Sequence, residues 1–374
     1  MSKRIPVCEP FLNGNELEYV MDAVRTGWIS SAGIYVKRFE EGFASYCGAK
    51  HAVGICNGTS ALHVALRAAG ICAGDEVIIP DFTMIATAFS VCYTGAKPVS
   101  VDAEAETWNI DPEKIESRIT KRTKAIMPVS IFGHPCDMDA IGAIARAKGI
   151  LVIEDAAESV GAEYKGRKTG TLADITAFSF YANKNLTTGE GGMVVTNNLD
   201  FYKRAMLLKN LFFPLDGIRN YLHEEIGFNY RMSNLQAAIG LAQLEKADEY
   251  RRLRTEHAKM YRKYLIDVPG ITMQKDKPDV VNVNWMNGIV VDAAKYGHSR
   301  DELMSYLARN GVETRLFFVG MHRQPSLLKY GCNFDGDYNV TDWLSQNGFY
   351  LPSGSNLAED DIRTISDLIA GYAG

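Results

Sequence analysis

A single lysine, Lys184, lies in a short polar segment between two apolar runs of the sequence. Residues 178–180 precede it, and a glycine cluster at 189–192 leads into a second apolar run at 193–196. This layout predicts a loop between two buried strands, in which glycines let the backbone turn tightly. An amine that is partly desolvated in such a loop has a lowered pKa and can attack carbonyl groups. The segment therefore predicts a nucleophilic lysine of the kind that forms a Schiff base with pyridoxal phosphate.

A carboxylate for the pyridine nitrogen of that cofactor is present at Asp155. It directly follows residues 150–153, an apolar run that is typical of a buried strand. Open parallel sheets bind ligands beyond the carboxyl ends of their strands. An aspartate there can keep the pyridine nitrogen protonated, which makes the ring an electron sink. A helix cap or a strand-end salt bridge is the structural alternative for Asp155.

A cradle for the phosphate is predicted at residues 57–60, Asn-Gly-Thr-Ser, between a strand and a helix. Backbone N–H groups at a helix N-terminus, with hydroxyls beside them and a glycine that allows close approach, suit a dianion. An ordinary helix cap is the alternative interpretation. Ser179, five residues before Lys184, is a candidate for a further phosphate contact.

The elements that must hold these residues alternate between short apolar strands and helices. Such alternation predicts an α/β fold with a mainly parallel sheet that is covered by helices on both faces. The predicted strands comprise residues 52–56, 76–79, 98–101, 125–131 and 150–153, with two more flanking Lys184.

Two domains are expected for a chain of 374 residues. A helical stretch at 233–265 is strongly charged over 245–263, as a connecting helix would be. We therefore predict a large domain at 20–250 and a smaller α+β domain at 251–374, completed by about residues 1–19. Within the smaller domain, Ser299 and Glu302 form a capping-box pattern, and a last helix is predicted at 359–372.

Composition excludes several classes of protein. The formal net charge is −5 and no long basic run occurs, so we expect neither nucleic-acid binding nor an anionic membrane surface as partner. No apolar run approaches the length of a membrane span. The seven cysteines are scattered without a C-x-x-C pair, which predicts buried, reduced thiols in a cytoplasmic protein and no metal site.

The order of these parts resembles fold type I of the pyridoxal phosphate enzymes, the aspartate aminotransferase-like fold with a seven-stranded sheet. The whole chain resembles the DegT/DnrJ/StrS family of sugar-nucleotide aminotransferases. The matching stretches are Gly27-Trp-Ile-Ser-Ser31, Asn57-Gly-Thr-Ser-Ala-Leu62, Gly74-Asp-Glu-Val-Ile78, Ile153-Glu-Asp-Ala-Ala-Glu158, Lys184 with Gly189-Glu-Gly-Gly192, and Gly227-Phe-Asn-Tyr-Arg-Met-Ser-Asn234.

The resemblance implies a role for each residue of the cofactor site. Lys184 would form the Schiff base, Asp155 would pair with the pyridine nitrogen, and Glu158 would lie near the ring. The phosphate would be bound by Gly58, Thr59, Ser179 and, from the partner subunit of a homodimer, Asn229. Met84 stands where relatives usually carry the aromatic residue that stacks on the ring, and a methionine can pack there as a polarisable surface.

The resemblance also implies where the substrate binds. The residues expected to contact the sugar nucleotide are Trp28, Ser30, Ser31, Arg231, Arg315 and His322. For Arg315 a surface position is equally compatible with the sequence. Departures from the family pattern at Leu316, Gly320 and Asn287 fall mostly around this pocket and leave the identity of the sugar open.

The expected reaction is a transamination in two halves. L-glutamate would convert the cofactor to pyridoxamine phosphate, which would then aminate the keto carbon of a nucleotide-linked 4-keto-6-deoxy sugar, with GDP favoured as the nucleotide. The product would serve the biosynthesis of a surface polysaccharide or of a secondary metabolite. The alternatives are a dTDP-linked 4-keto sugar and a 3-keto sugar, and UDP also remains open as the nucleotide. Dehydration of the sugar is disfavoured, because relatives that catalyse it carry a histidine in place of Lys184. A regulator without turnover is also disfavoured, because it would need an added binding module.

Overall fold

Strands alternate with helices over residues 51–155 in the computed structural model, which describes residues 4–215 and 221–374. The strands are β1 (His51–Ile55), β2 (Glu76–Pro80), β3 (Lys97–Val101), β4 (Thr123–Ile126), β5 (Leu151–Asp155), β6 (Glu163–Tyr164), β7 (Arg167–Lys168), β8 (Ile175–Ser179), β9 (Gly192–Thr196), β10 (Ile271–Met273), β11 (Val280–Val281), β12 (Asn287–Val291), β13 (Arg315–Leu316) and β14 (Gly348–Leu351). The α-helices are α1 (Glu16–Arg25), α2 (Ile34–Cys47), α3 (Gly58–Ala68), α4 (Ala86–Tyr93), α5 (Pro112–Ile115), α6 (Met138–Lys148), α7 (Leu199–Lys209), α8 (Asn234–Glu245), α9 (Ala247–Leu265), α10 (Ala293–Tyr296), α11 (Arg300–Arg309), α12 (Pro325–Lys329), α13 (Asn339–Asn347) and α14 (Glu359–Gly371).

Seven strands form one sheet in the order β1-β9-β8-β5-β4-β2-β3. The strands from β8 to β3 in that order pair in parallel, whereas β9 is antiparallel to both of its neighbours. Strands β2, β8 and β9 are buried along their whole length, as expected where both faces of a sheet are covered. The predicted seven-stranded, mainly parallel sheet is confirmed, and the carboxyl ends of its parallel strands meet at one edge.

The helix boundaries follow the capping signals in the sequence. The side chain of Asn57 accepts a hydrogen bond from the amide of Ser60 at 2.8 Å and begins α3. Ser299 and Glu302 form the predicted capping box at the start of α11. Gly149 ends α6 with a φ of 64°, a conformation that glycine adopts without steric cost.

A second sheet, antiparallel and four-stranded, has the order β10-β12-β14-β13. Helices α9, α11 and α14 contribute Tyr261, Leu303 and Ile365 to its core. Ile5 belongs to the same core and forms a β-bridge with Val312, so the N-terminal segment is part of this smaller unit of the fold. The smaller α+β part of the fold is as predicted, and the division into domains near residue 250 stays a prediction.

The long helical stretch predicted at 233–265 is helical, but it is divided into two helices. Two helices, α8 and α9, meet at Lys246, whose backbone has a φ of −107° and a ψ of 6°. The chain changes direction there because α8 buries Ala237 and Ala238 in the core beside the larger sheet. Helix α9 then extends to Leu265 in the core of the smaller sheet.

The predicted strand at 125–131 is also too long, because β4 ends at Ile126. Pro128 lacks the N–H that a further ladder bond requires. The chain then enters a 3-10 turn, Ile131–Gly133, in which Phe132 has a φ of 54°. The backbone amide of Phe132 in that turn donates to the side chain of Glu158.

The seven cysteines form no disulfide. The expectation of buried thiols holds for Cys47, Cys136 and Cys332, whereas Cys72 is exposed. Nowhere in residues 4–215 and 221–374 does a helix combine the length and the apolar character needed to cross a membrane.

Candidate active site

A cavity of about 650 Å³ opens at the edge of the larger sheet where the parallel strands end. Segments that follow β1, β2, β5 and β8 line it, together with aromatic side chains from the C-terminal part of the chain. The predicted residues that line it are Gly58, Thr59, Met84, Asp155, Glu158, Ser179 and Lys184. Residues that are far apart in the sequence are thus brought together around one space.

Asp155 ends β5 and is almost completely buried. Its carboxylate accepts a hydrogen bond from the hydroxyl of Thr87 at 2.8 Å and another from the amide of Ala157 at 3.1 Å. Burial raises the pKa of Asp155, while these two bonds and the nearby Lys184 act in the opposite direction. The carboxylate is therefore fixed in orientation and lies in surroundings that favour a cationic partner.

Glu158, three residues further on, is held by the 3-10 turn at Phe132. The amide of Phe132 donates to Glu158 at 2.7 Å. Burial raises the pKa of Glu158 to about 7, against the opposing effect of Lys184. A carboxyl group with such a pKa can exist in either protonation state near neutral pH.

Lys184 lies in the loop between β8 and β9, as predicted, and only 12% of its side chain is exposed. Its Nζ is 3.7 Å from an oxygen of Glu158 and 3.6 Å from the ring centroid of Trp285. Burial lowers the pKa of Lys184, and the carboxylates of Glu158 and Asp155 oppose that shift. The amine is therefore more readily deprotonated than an exposed lysine, which is the property that a nucleophile needs.

The N-terminus of α3 faces the same cavity. The amides of Gly58 and Thr59 begin the helix and, as at any helix start, have no partner within it. A Cβ atom at Gly58 would come within 2.7 Å of Cβ of Ser179, so only glycine allows this approach between α3 and the end of β8. The result is a narrow cradle of amides and hydroxyls that can bind an anion.

Met84 follows β2 and lines the cavity with 49% of its surface exposed. Its sulfur accepts a hydrogen bond from the amide of Ala86 at 3.1 Å. The side chain is therefore directed by the first turn of α4 and offers an accessible, polarisable surface to the cavity.

The other predicted residues lie outside this cavity. Ser31 and Arg231 line a separate depression of about 300 Å³, and Arg231 donates to the side chain of Asn210 at 2.9 Å. Asn234 joins this region to the loop before α2, since it donates to the carbonyls of Trp28 at 2.6 Å and Ser30 at 2.7 Å.

Asn229, Arg315 and His322 are likewise away from the cavity. Asn229 is exposed and pairs through its backbone with Asn210. Arg315 is exposed and forms an ion pair with Glu313 at 2.7 Å, although its cross-strand neighbour, Tyr350, lines the cavity.

His322 is tied to two carboxylates. Its Nδ1 lies 2.6 Å from Asp81, its Nε2 lies 3.3 Å from Asp342, and its ring stacks on Tyr338. Asp81 raises the pKa of His322. In this position His322 joins the end of β2 to the segment around α13.

Sequence reasoning missed several residues of the cavity. Trp285, Phe318 and Tyr350 line it, but they come from three separate segments of the C-terminal part and show no common pattern. Thr87 was missed as the hydrogen-bond donor to Asp155. The sequence around Thr87 gives little indication of this role, because a threonine in the first turn of a helix can have many roles.

Comparisons with known proteins agree over nearly the whole chain. The model of the DegT/DnrJ/EryC1/StrS aminotransferase family matches residues 10–370. The GDP-perosamine synthase of Caulobacter vibrioides is 45% identical over 366 residues, covering 97% of this chain and 96% of that protein. The GDP-perosamine synthase of Escherichia coli O157:H7 is 42% identical over 367 residues, covering 98% of each. A solved structure of DesI in the presence of its TDP-sugar product has a TM-score of 0.90 and 32% identity, covering 99% of this chain and 93% of that one.

Proposed function

This chain belongs to the DegT/DnrJ/EryC1/StrS aminotransferase family, and we propose that it transfers an amino group from L-glutamate to the keto carbon of a nucleotide-linked 4-keto-6-deoxy sugar. The acceptor that we favour is GDP-4-keto-6-deoxymannose, which would give GDP-perosamine. The similarity to the two GDP-perosamine synthases supports that choice. The observation that carries the proposal is the buried amine of Lys184 in one cavity with Asp155, Glu158 and the start of α3.

The cavity residues fit pyridoxal phosphate as cofactor. The approach of α3 to Ser179, which a Cβ at Gly58 would block, suits a phosphate group. Asp155 offers a buried anion for a pyridinium, and Lys184 offers an amine. When bound, the cofactor supplies an aldehyde that accepts the amino group, so that it becomes pyridoxamine phosphate, and a ring that withdraws electrons from the reacting carbon.

In this proposal Lys184 also transfers the proton. The amine is close to Glu158, so a proton on Nζ is stabilised by that carboxylate while burial favours its release. The two influences oppose each other, which suits a group that must both take and return a proton. Asp155 is held by Thr87 and Ala157 and remains fixed while Lys184 moves.

The apolar side chains of the cavity would exclude water from the reacting carbon. Trp285, Phe318 and Tyr350 line it together with Leu62 and Val129. Aromatic and aliphatic walls lower the local dielectric constant and so strengthen the interactions of Lys184 with its partners.

A homodimer with shared active sites is part of the proposal. Of the described residues that line the cavity, Lys184 is the sole cation, beside three carboxylates, Asp155, Glu158 and Glu190. The cofactor phosphate and a nucleotide diphosphate need more positive charge than that. Asn229 and Arg231 lie outside the cavity of their own chain, which is consistent with their entering that of a second copy.

We propose that the sugar nucleotide is contacted by Trp28, Ser30, Ser31, Arg231, Arg315 and His322. The bonds from Asn234 hold the loop before α2, and Ser31 of that loop lines one depression together with Arg231, so Trp28, Ser30, Ser31 and Arg231 can act as one surface. We further propose that the reaction takes place in the cytoplasm and that its product enters a surface polysaccharide, such as the O-antigen of lipopolysaccharide.

A dTDP-linked 4-keto sugar is the second candidate acceptor. The solved structure of DesI in the presence of its TDP-sugar product favours it, because the fold agrees over nearly the full length of both chains. A 3-keto sugar remains as the third form of acceptor.

A single turnover separates these candidates. The enzyme is loaded with excess L-glutamate and desalted, and GDP- and dTDP-linked 4-keto-6-deoxy sugars are added in separate experiments. Return of the cofactor's aldehyde-form absorbance with the GDP sugar alone would support GDP-perosamine synthesis, and return with the dTDP sugar alone would overturn the choice of nucleotide. Loading by glutamate without return in either experiment would overturn both of these acceptors and point to a 3-keto or a UDP-linked sugar. Lys184→Ala serves as the control and should not turn over.

A further inference from the structure

The ring of Trp285 lies against the amine of Lys184. The ring centroid is 3.6 Å from Nζ, and Trp285 is almost completely buried. Glu158 is the other close partner of the amine, at 3.7 Å. The free amine therefore rests between an aromatic face and a carboxylate.

Trp285 is held in place by hydrogen bonds at three points. Its indole Nε1 donates to the carbonyl of Asn183 at 2.8 Å, and its amide donates to the carbonyl of Phe132 at 2.8 Å. Its own carbonyl accepts a bond from the buried guanidinium of Arg254 at 2.8 Å. The bond to Asn183 links the ring to the residue next to Lys184. The ring is thus a fixed surface, and the four-carbon side chain of Lys184 is the part that moves.

A tryptophan face attracts an ammonium more strongly than other aromatic rings do, because its π-system carries negative charge on the face. The charged groups around Lys184 divide into two sets. Glu158 and Asp155 favour its protonated form, whereas Arg254 and burial favour the neutral form. Trp285 adds an attraction for the protonated form that does not require another charge in the cavity.

We propose that Trp285 is a catalytic residue that receives the free amine of Lys184 and holds it beside Glu158 whenever the amine is not bonded to the cofactor. This inference rests on the proposed function, in which Lys184 is released and recaptured in each half of the reaction. A fixed resting position keeps the amine within reach of the reacting carbon. It also stabilises the proton that the amine must carry between taking it and returning it.

The test measures the ionisation of Lys184 in cofactor-free protein. Trace acetylation with acetic anhydride at a series of pH values, read by mass spectrometry of the peptide that contains Lys184, gives the midpoint for this amine. In Trp285→Leu the midpoint should fall by about one pH unit, since the lost attraction is on the order of the free energy of one pKa unit. Trp285→Phe keeps a ring face and should shift less than half as far. Trp343→Leu, at an exposed tryptophan on α13, is the matched control.

A second measurement keeps the shape of the ring nearly unchanged. Replacing the four tryptophans of the chain with fluorinated tryptophan weakens the negative ring face, and the Lys184 midpoint should fall further with each added fluorine. An unchanged midpoint in folded Trp285→Leu, or in the fluorinated series, would overturn the inference. A shift in Trp285→Phe as large as that in Trp285→Leu would do so too, because it would assign the effect to the bond with Asn183. Failure of the wild-type protein to form an imine with added pyridoxal phosphate would instead overturn the proposed function.

Discussion

The hydroxyl of Thr87 is expected to hold Asp155 in its ionised form, and Thr87→Val removes that hydroxyl with little change in shape. Thr87 is buried, and its hydroxyl lies 2.8 Å from the carboxylate. Hydrogen bonds to charged groups contribute about 1.5–3 kcal/mol. No water can replace the lost donor at so buried a position, so we expect most of that amount to be lost.

The expected loss translates into two observables. Affinity for pyridoxal phosphate should fall by about 10- to 150-fold, since about 1.4 kcal/mol corresponds to a factor of ten. The pKa of Asp155, which burial already raises, should rise further, because the hydrogen bond from Thr87 acts in the opposite direction to burial. As the pH is lowered, the variant should therefore lose cofactor affinity at a higher pH than the wild type does.

The assay is a titration with pyridoxal phosphate, followed by absorbance, between pH 5 and pH 9. Thr94→Val is the matched control, because Thr94 is also buried, at the end of α4, but donates to the carbonyl of Val91. Thr83→Val measures the loss of the Thr83–Thr87 contact by itself. Equal affinity and an equal pH profile for Thr87→Val and the wild type would refute the role of this bond.

Two further predictions concern other parts of the same sheet edge. Gly58→Ala places a Cβ within 2.7 Å of Ser179. Such overpacking costs about 1–3 kcal/mol. A cofactor titration should therefore show at least about fivefold weaker binding. Gly371→Ala, in open space, is the control, and equal binding by Gly58→Ala would contradict the cradle. Burial raises the pKa of Glu154 to about 7. Between about pH 4.5 and 7 the unfolded chain releases this proton and the folded chain retains it, so unfolding free energy should fall by about 3 kcal/mol as pH rises. Glu154→Gln should reduce the fall of the urea midpoint over that range and leave the part due to Glu158, whose pKa burial also raises to about 7, and an unchanged slope would speak against a buried, protonated Glu154.

The parts of the site that could be predicted are those that local sequence determines. Asp155 and Lys184 each adjoin a buried strand, and Asn57 begins a helix directly after one. A polar residue at the carboxyl end of a buried strand in an α/β fold lies at the edge of the sheet where ligands bind, so its position follows from the strand alone.

The remaining parts depend on contacts between distant segments. Trp285 reaches Lys184 only because the chain beyond α9 folds back over the larger sheet, and nothing near Trp285 in the sequence indicates this. The bond from Asn234 to Trp28 likewise joins residues that are far apart. The break at Lys246 was missed for the same reason, since periodicity shows a helical pattern but not which core each turn will meet.

The pairing of β1 with β9 has a consequence for synthesis of the chain. The first strand of the larger sheet, which begins at residue 51, has β9, which ends at residue 196, as its neighbour in the sheet, and its last residue, Ile55, also bridges Arg231. During synthesis β1 therefore stays without its β9 partner until the sequence between the two strands has been translated. Such a long-range pairing is slow to form, and it leaves a strand edge open to other nascent chains. The antiparallel return of β9 next to the Lys184 loop thus couples closure of the sheet to the placement of Lys184, and Trp285 can join the site only after the chain beyond α9 has been made.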